Sequence, residues 1–373
     1  MPVNISMATL IAFSLIIYIF FLATSNASIL LKASLLIPFY TFMAIYLVRK
    51  NFISMSFGWR IWSLLVLMIV FFINGLFRHE LIEYGYYFIR MTNFLMILFW
   101  VMTLSQDFMK KFLMCLSVMS TMSIMVILIL DLDMIIDSFC YFVIPFFILS
   151  KSRIVVCFFA MLMVYLLWMM EVRGAMLAIP MILLHRISQK YFIFYARNWN
   201  KAVMPLIFLL VASEIFIAIF LFDDIAFNLA LNKRPYIWNI YLSEFISGDS
   251  IQQIFGYGKV TGDFAESVGE IISSQFGVGR KYSAHSLYIG VLYEMGVVGF
   301  SIIMLYLNYI FKKDGSKNLR DYQFIIFIFI LLGLFSPVSL GGHAAGDFIF
   351  TLIFLNLLRT RREDRNVESI SYC

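Results

Sequence analysis

Apolar runs long enough to cross a bilayer recur along almost the whole chain, and they leave few folds open. A spanning helix needs about 20 apolar residues. In hydrocarbon only a helix or a closed barrel satisfies its own backbone. Runs of this kind, some shorter, fall at roughly 5–24, 29–48, 61–77, 87–105, 112–130, 134–150, 154–170, 174–189, 202–221, 286–311, 322–340 and 345–358. They predict an all-α polytopic transmembrane protein with about 12 spans. Of the 373 residues, 62% are hydrophobic and 13% charged, with mean hydropathy +0.92. That balance excludes an ordinary soluble domain. The first run lacks a basic stretch ahead of it and reads as an uncleaved span. Small residues around Ala23–Ser28 leave a cleaved signal peptide open.

Orientation follows from the basic residues, which mark cytoplasmic loops. With the N-terminus inside, the inner connections and tail hold most of the 28. Examples are Arg49, Lys50 and Arg60, then Lys312, Lys313, Lys317 and Arg320, then Arg359, Arg361, Arg362 and Arg365. Both termini are expected in the cytoplasm. The net charge of +6 then needs no nucleic-acid partner. The chain divides into helices 1–9 over residues 1–221, a periplasmic loop over 222–285, helices 10–12 over 286–358 and a cytoplasmic tail over 359–373. A connection of that length tends to be functional. Its glycines predict turns, and residues 236–245 predict a short amphipathic helix on the membrane surface.

The four cysteines, Cys115, Cys140, Cys157 and Cys373, form no C-x-x-C and imply no disulfide framework. Phosphate-loop, H-E-x-x-H and G-x-S-x-G patterns are absent. Asp131 and Asp133 form a D-x-D that reads as a solvated helix end. No metal and no cofactor are expected.

The drawn topology gathers Arg173, Arg234, His285, His343 and Asp347 at the outer face. A charge at membrane depth tends to face a cavity or a partner. Two convergent arginines suit a diphosphate, which each can hold bidentately. A neutral histidine beside them suits removal of a proton from a sugar hydroxyl. Plainer readings exist: Arg173 snorkelling to headgroups or pairing with Glu171, Lys233 and Arg234 as a solvated pair, His343 as a structural residue of a Gly-rich turn. In AHSLYIGVLYEMGVVGF, Ile289, Leu292, Gly296 and Gly299 share a helical stripe with His285, at about 100° per residue. Glycines there predict close approach of a neighbouring helix, with Glu294 on the opposite side.

His285-Ser286, followed after nine residues by Gly296 and after two more by Gly299, resembles the histidine motif of the bacterial O-antigen ligase and O-antigen polymerase superfamily. Arg173-Gly174 resembles that family's Arg-Gly element. Arg234 with Trp238 resembles its second arginine in an Arg-x-x-x-Trp setting, and Phe255-Gly256-Tyr257-Gly258 its loop Gly-x-Gly. The likeness covers about 170–300; the first 150 residues match only as generic spans. It implies a GT-C-like helical membrane glycosyltransferase of the bacterial inner membrane, metal-independent and inverting. Its donor is an undecaprenyl-diphosphate-linked glycan. By the matched positions, Arg173 and Arg234 bind the diphosphate and His285 acts as general base or orients the acceptor. Trp238, Tyr288, His343 and Asp347 are expected to line the site. The implied activity is O-antigen polymerase, joining lipid-linked repeat units in lipopolysaccharide biosynthesis. The alternative is O-antigen ligase, which moves the polymer to lipid A-core. A lipid-linked oligosaccharide flippase or other transporter is the reading from a different class, disfavoured because neither paired repeats nor broken midplane helices are evident. Membrane lipids, a chain-length regulator and a flippase are the expected partners.

The topology has a direct test. Single cysteines at Ser250 and Gly341 should react with a membrane-impermeant thiol reagent in outer-membrane-permeabilised cells. One at Ser316 should stay unlabelled; the opposite pattern overturns the orientation.

Overall fold

A computed structural model describes residues 11–17, 29–49, 59–78, 84–103, 105–129, 193–231, 233–258, 262–276, 286–312, 317–333, 347 and 349–359, with short pieces between 143 and 183. The described residues are helical, with no strand among them. The helices are α1 (Ile29–Arg49), α2 (Trp59–Arg78), α3 (Tyr84–Thr103), α4 (Gln106–Ile129), α5 (Ile193–Phe220), α6 (Ile225–Ala230), α7 (Arg234–Ser247), α8 (Ser250–Phe255), α9 (Gly262–Phe276), α10 (Leu287–Phe311) and α11 (Lys317–Leu332). A last apolar helix, α12, covers Ile349–Arg359.

Three described helices hold stretches long and apolar enough to cross a membrane: Asp107–Val126, Lys201–Phe220 and Leu287–Phe311. Shorter apolar helices lie at Ile37–Tyr46, Trp59–Gly75, Arg90–Thr103 and Ile349–Arg359. The expected runs and the helices coincide closely at α1, α2 and α10. The expected spans at 134–150, 154–170 and 174–189 fall mostly outside the described residues.

Two apolar cores organise the chain. The larger joins α1–α4 to α5, α10, α11 and α12, with Met43, Met68, Trp100, Phe112, Ile326 and Phe354 at its centre. The smaller joins α5, α7, α9 and α10 through Ala218, Ile237, Trp238, Tyr241, Val268, Ile272, Ile289 and Tyr293. Because α5 and α10 belong to both, they fix one core against the other.

The segment between α5 and α10 departs from expectation. It contains four helices rather than a run of turns, and Gly262 and Gly269 lie inside α9. Each short helix begins on local chemistry. Asp224 caps α6 by accepting from Phe227 N. Asp249 and Gln252 form a reciprocal capping box on α8. The helix expected at 236–245 exists as α7, and protein rather than open surface covers its apolar face. Its apolar residues Ile237, Trp238, Tyr241, Leu242 and Phe245 are buried. They make a single stripe of the kind that seeks a core, and Ala218, Val268, Ile272, Ile289 and Tyr293 already cover it.

The glycine stripe on α10 also behaves differently from a helix-packing groove. Gly299 faces α2: a Cβ there would lie 3.5 Å from Leu67 Cδ1. Gly296 instead breaks the helix, with φ 65° and ψ −172°, a region essentially reserved for glycine. A Cβ at Gly296 would strike the backbone of Ile254 and Gly256. Gly296→Ala should therefore cost more than the roughly 1–3 kcal/mol of strain alone. Thermal unfolding of the purified protein should show a large fall in Tm, and an unchanged Tm would contradict the break.

Candidate functional site

The break in α10 is where the intervening segment docks. Normally Tyr293 O and Glu294 O would accept from amides one turn on within the helix. At the break they accept instead from Tyr257 N at 2.8 Å and Gly258 N at 3.1 Å. Gly256 and Gly258 have positive φ, 84° and 79°, so the loop can lie flat on α10 where any Cβ at Gly256 would meet Glu294 and Met295 backbone. Asn74 of α2 clamps the same loop, donating from Nδ2 to Gly256 O at 3.0 Å. Tyr257 stacks on Tyr293 at 4.7 Å and 12°, while its hydroxyl donates to Glu244 O at 2.8 Å. Tyr241 meets the same Tyr293 edge-on at 5.1 Å. Burial pushes the Tyr241 phenol pKa up, and Tyr293 and Glu294 push it the same way.

Below this seam lies a buried ion pair. Arg90 Nη1 of α3 donates to Glu294 Oε2 at 2.8 Å, with the two side chains 1% and 15% exposed. The Arg90 guanidinium also rests over Phe71, 4.4 Å from the ring centre. The partner of Glu294 is thus a basic residue from inside an apolar span.

The break also bears on the transporter reading. That reading was disfavoured partly because no broken helix was evident, and α10 is broken. The two freed carbonyls, however, are taken by loop amides rather than turned toward an ion.

At its N-terminus α10 is capped by Ser286, whose Oγ accepts from Tyr288 N and Ile289 N, each at 3.1 Å. Tyr288 is buried, and its hydroxyl donates to Ile330 O at 3.2 Å, so it ties α10 to α11. Leu287 N reinforces that tie through Gly333 O at 2.6 Å. Against this helix mouth lies Glu214 of α5, 2% exposed. The Ser286 hydroxyl is the polar group beside its carboxylate.

Arg234 opens α7 and is partly buried. The turn before it is knitted by Asn228, which accepts from Tyr236 N at 3.3 Å through Oδ1 and from Lys233 N at 2.7 Å through its backbone. Lys233 adopts a left-handed conformation, φ 63°, and its Nζ lies 5.2 Å from the Phe276 ring centre. With Arg234 N on Leu231 O, Ile237 N on Lys233 O, Tyr236 N on Asn228 and a proline at 235, the first turn of α7 keeps no amide for an anion. Any anion held here depends on the guanidinium.

Trp238 is buried in the smaller core, on the stripe that faces α10. Asp347 is buried, 7% exposed. Arg173, His285 and His343 lie outside the described residues. The structure therefore joins the Gly-x-Gly loop, the helix that follows His285, and the helix headed by Arg234 into one assembly. Among the described residues no cluster of three or more metal-ligating side chains occurs. Sequence reasoning missed Arg90, Glu214 and Asn74, although the first two are charges inside apolar runs, a signal that was available. Neither family models, curated proteins nor solved structures yield a match to this chain.

Breaking a buried pair by removing one partner costs about 3–5 kcal/mol. Arg90→Met alone should lower the yield of folded protein and its Tm strongly. Arg90→Met with Glu294→Leu should recover much of that loss. Strictly additive losses in thermal unfolding would show that the pair is not coupled.

Proposed function

We propose that this chain is a membrane glycosyltransferase that elongates a glycan carried on undecaprenyl diphosphate, an O-antigen polymerase of the inner membrane. The observation that supports this reading most is the seam at Gly296. The motif pieces Phe255–Gly258 and Ser286–Gly299, separate in sequence, are hydrogen-bonded to each other. The segment they anchor carries Arg234 at the head of α7.

In this reading the acceptor sugar hydroxyl attacks the anomeric carbon of the donor glycan. The O–H bond breaks and its proton passes to His285. The new C–O bond forms with inversion as the bond to the diphosphate breaks. The diphosphate leaves with the electron pair, and Arg173 and Arg234 stabilise its charge. Forked donors suit that charge better than an ammonium point charge does, and at Arg234 no backbone amide can substitute.

The test is complementation of a deletion strain, with lipopolysaccharide resolved on gels. Loss of a polymerase leaves core plus one repeat unit. Bare core would instead assign the chain as a ligase, and an unchanged ladder would refute both. His285→Ala should abolish elongation at matched membrane levels, since a general base contributes typically about 10²–10⁴-fold. Arg234→Lys and Arg173→Lys should each lose most activity. Full ladders from His285→Ala would remove His285 from the chemistry.

A further inference from the structure

We propose that the corner between α7 and α8 is immersed in the bilayer: Ile254 and Phe255 contact phospholipid acyl chains, and one such chain lies in the cleft beneath Phe255, between α2 and α10. This holds whether or not the chain is a transferase.

α8 is built the wrong way round for water. None of its residues is buried. Its polar groups are spent on protein: Gln252 closes the capping box with Asp249, and Gln253 donates to Ile246 O and Gly248 O. Its apolar side chains face out instead. Ile251 is 60% and Ile254 43% exposed, with Phe255 exposed beside them. Spaced i, i+3 and i+4, the three share one face. Ile246, at the end of α7, is exposed as well. Clustered apolar exposure of this kind marks a contact surface.

Depth says what contacts it. α2 runs 20 residues from Trp59 to Arg78, about 30 Å, which matches the hydrocarbon core. Asn74, which holds Gly256 O, lies four residues inside Arg78, about 6 Å. Tyr293 and Arg90 each lie six residues inside the starts of α10 and α3, about 9 Å. All three measures put the seam below the membrane boundary, in the outer leaflet of the drawn topology. Irregular backbone persists at that depth only where protein satisfies it. Here Tyr257 N, Gly258 N and Gly256 O are all bonded to α10 or α2. α8 has six residues and is about 9 Å long, so Asp249 and Ser250 reach the headgroups while Phe255 stays among the chains.

Phe255 also borders a cleft of about 350 Å³ lined by Val66, Val70, Val298 and Ile302. Ser63 lines it too, with its hydroxyl bonded to that of Tyr306; the rest of the lining is apolar. Val66 and Val298 are exposed, so the cleft continues the outward surfaces of α2 and α10. Phospholipid is the solvent at this depth, and an uncharged groove open to it takes a hydrocarbon chain.

Nitroxides on single cysteines test this in the full chain, its four cysteines replaced by alanine, in vesicles of phosphatidylethanolamine and phosphatidylglycerol. The ratio of collisions with oxygen to collisions with a water-soluble nickel chelate should rise from Ser243 and Ser250 to Ile254, toward the value at Val66. An Ile254 label as open to the chelate as one at Ser243 would put the corner in water. A label closed to both quenchers would put protein over it, a second copy included. Either result overturns the proposal. Where labelled variants fail to fold, the unmodified chain is photolysed with a phospholipid carrying a diazirine in its acyl chain. Adducts should fall on Ile254 and Phe255 as well as on Val297, which is exposed on α10. Adducts at Val297 with none between Ile246 and Phe255 would overturn the immersion. Adducts at Phe255 that vanish when undecaprenyl diphosphate is added would give the cleft to that carrier and overturn the phospholipid assignment.

Discussion

The structure depends on a seam made of backbone rather than side chains. Gly296 and Gly256 both adopt conformations that favour glycine; a Cβ at Gly296 would strike the backbone of Ile254 and Gly256, and one at Gly256 the backbone of Glu294 and Met295. Their approach lets two amides of the loop replace two amides of the helix as donors to Tyr293 O and Glu294 O. Tyr293 O and Glu294 O thus keep partners across the interruption of α10. What it gains is a rigid attachment for everything between α5 and α10.

Side chains then lock the seam on three sides. Tyr257 stacks on Tyr293, which meets Tyr241 edge-on, and their rings close the smaller core. Asn74 holds the loop from α2, and Arg90 holds Glu294 from α3. Buried ion pairs are weak sources of stability but strict about partners. Here the pair selects a single register of α3 against α10, directly beneath the docked loop. On the far side, Asn239 Nδ2 donates to Ala218 O at 2.8 Å and fastens α7 to the end of α5. The head of α7, with Arg234, is held from both ends.

Much of this was legible in the chain. Apolar length marked α1, α2 and α10 nearly to the residue, because a bilayer imposes length directly. The break at Gly296 was not legible: a glycine in an apolar run reads equally as a packing surface, and only the partner backbone decides. α7 was found as a helix but assigned to a membrane surface, because its apolar stripe has the same spacing whether lipid or protein covers it. For the candidate site, the Gly-x-Gly loop and the residues after His285 were singled out separately, and their contact is what distance along the chain conceals. Glu214 and Arg90 lie within apolar runs, where the sequence alone does not say which helix supplies a partner.

The seam also has a consequence for how the protein is made. Synthesis runs from the N-terminus, so Gly256–Gly258 leaves the ribosome before Tyr293 and Glu294 exist. The loop amides have no carbonyls to bond until α10 has been released into the bilayer. Residues 221–286 must therefore wait, with the Ile237–Phe245 stripe of α7 uncovered on its α10 side. Insertion of α10 supplies the missing carbonyls and the missing apolar face together. Docking of this region thus waits on a single helix that follows it in the chain.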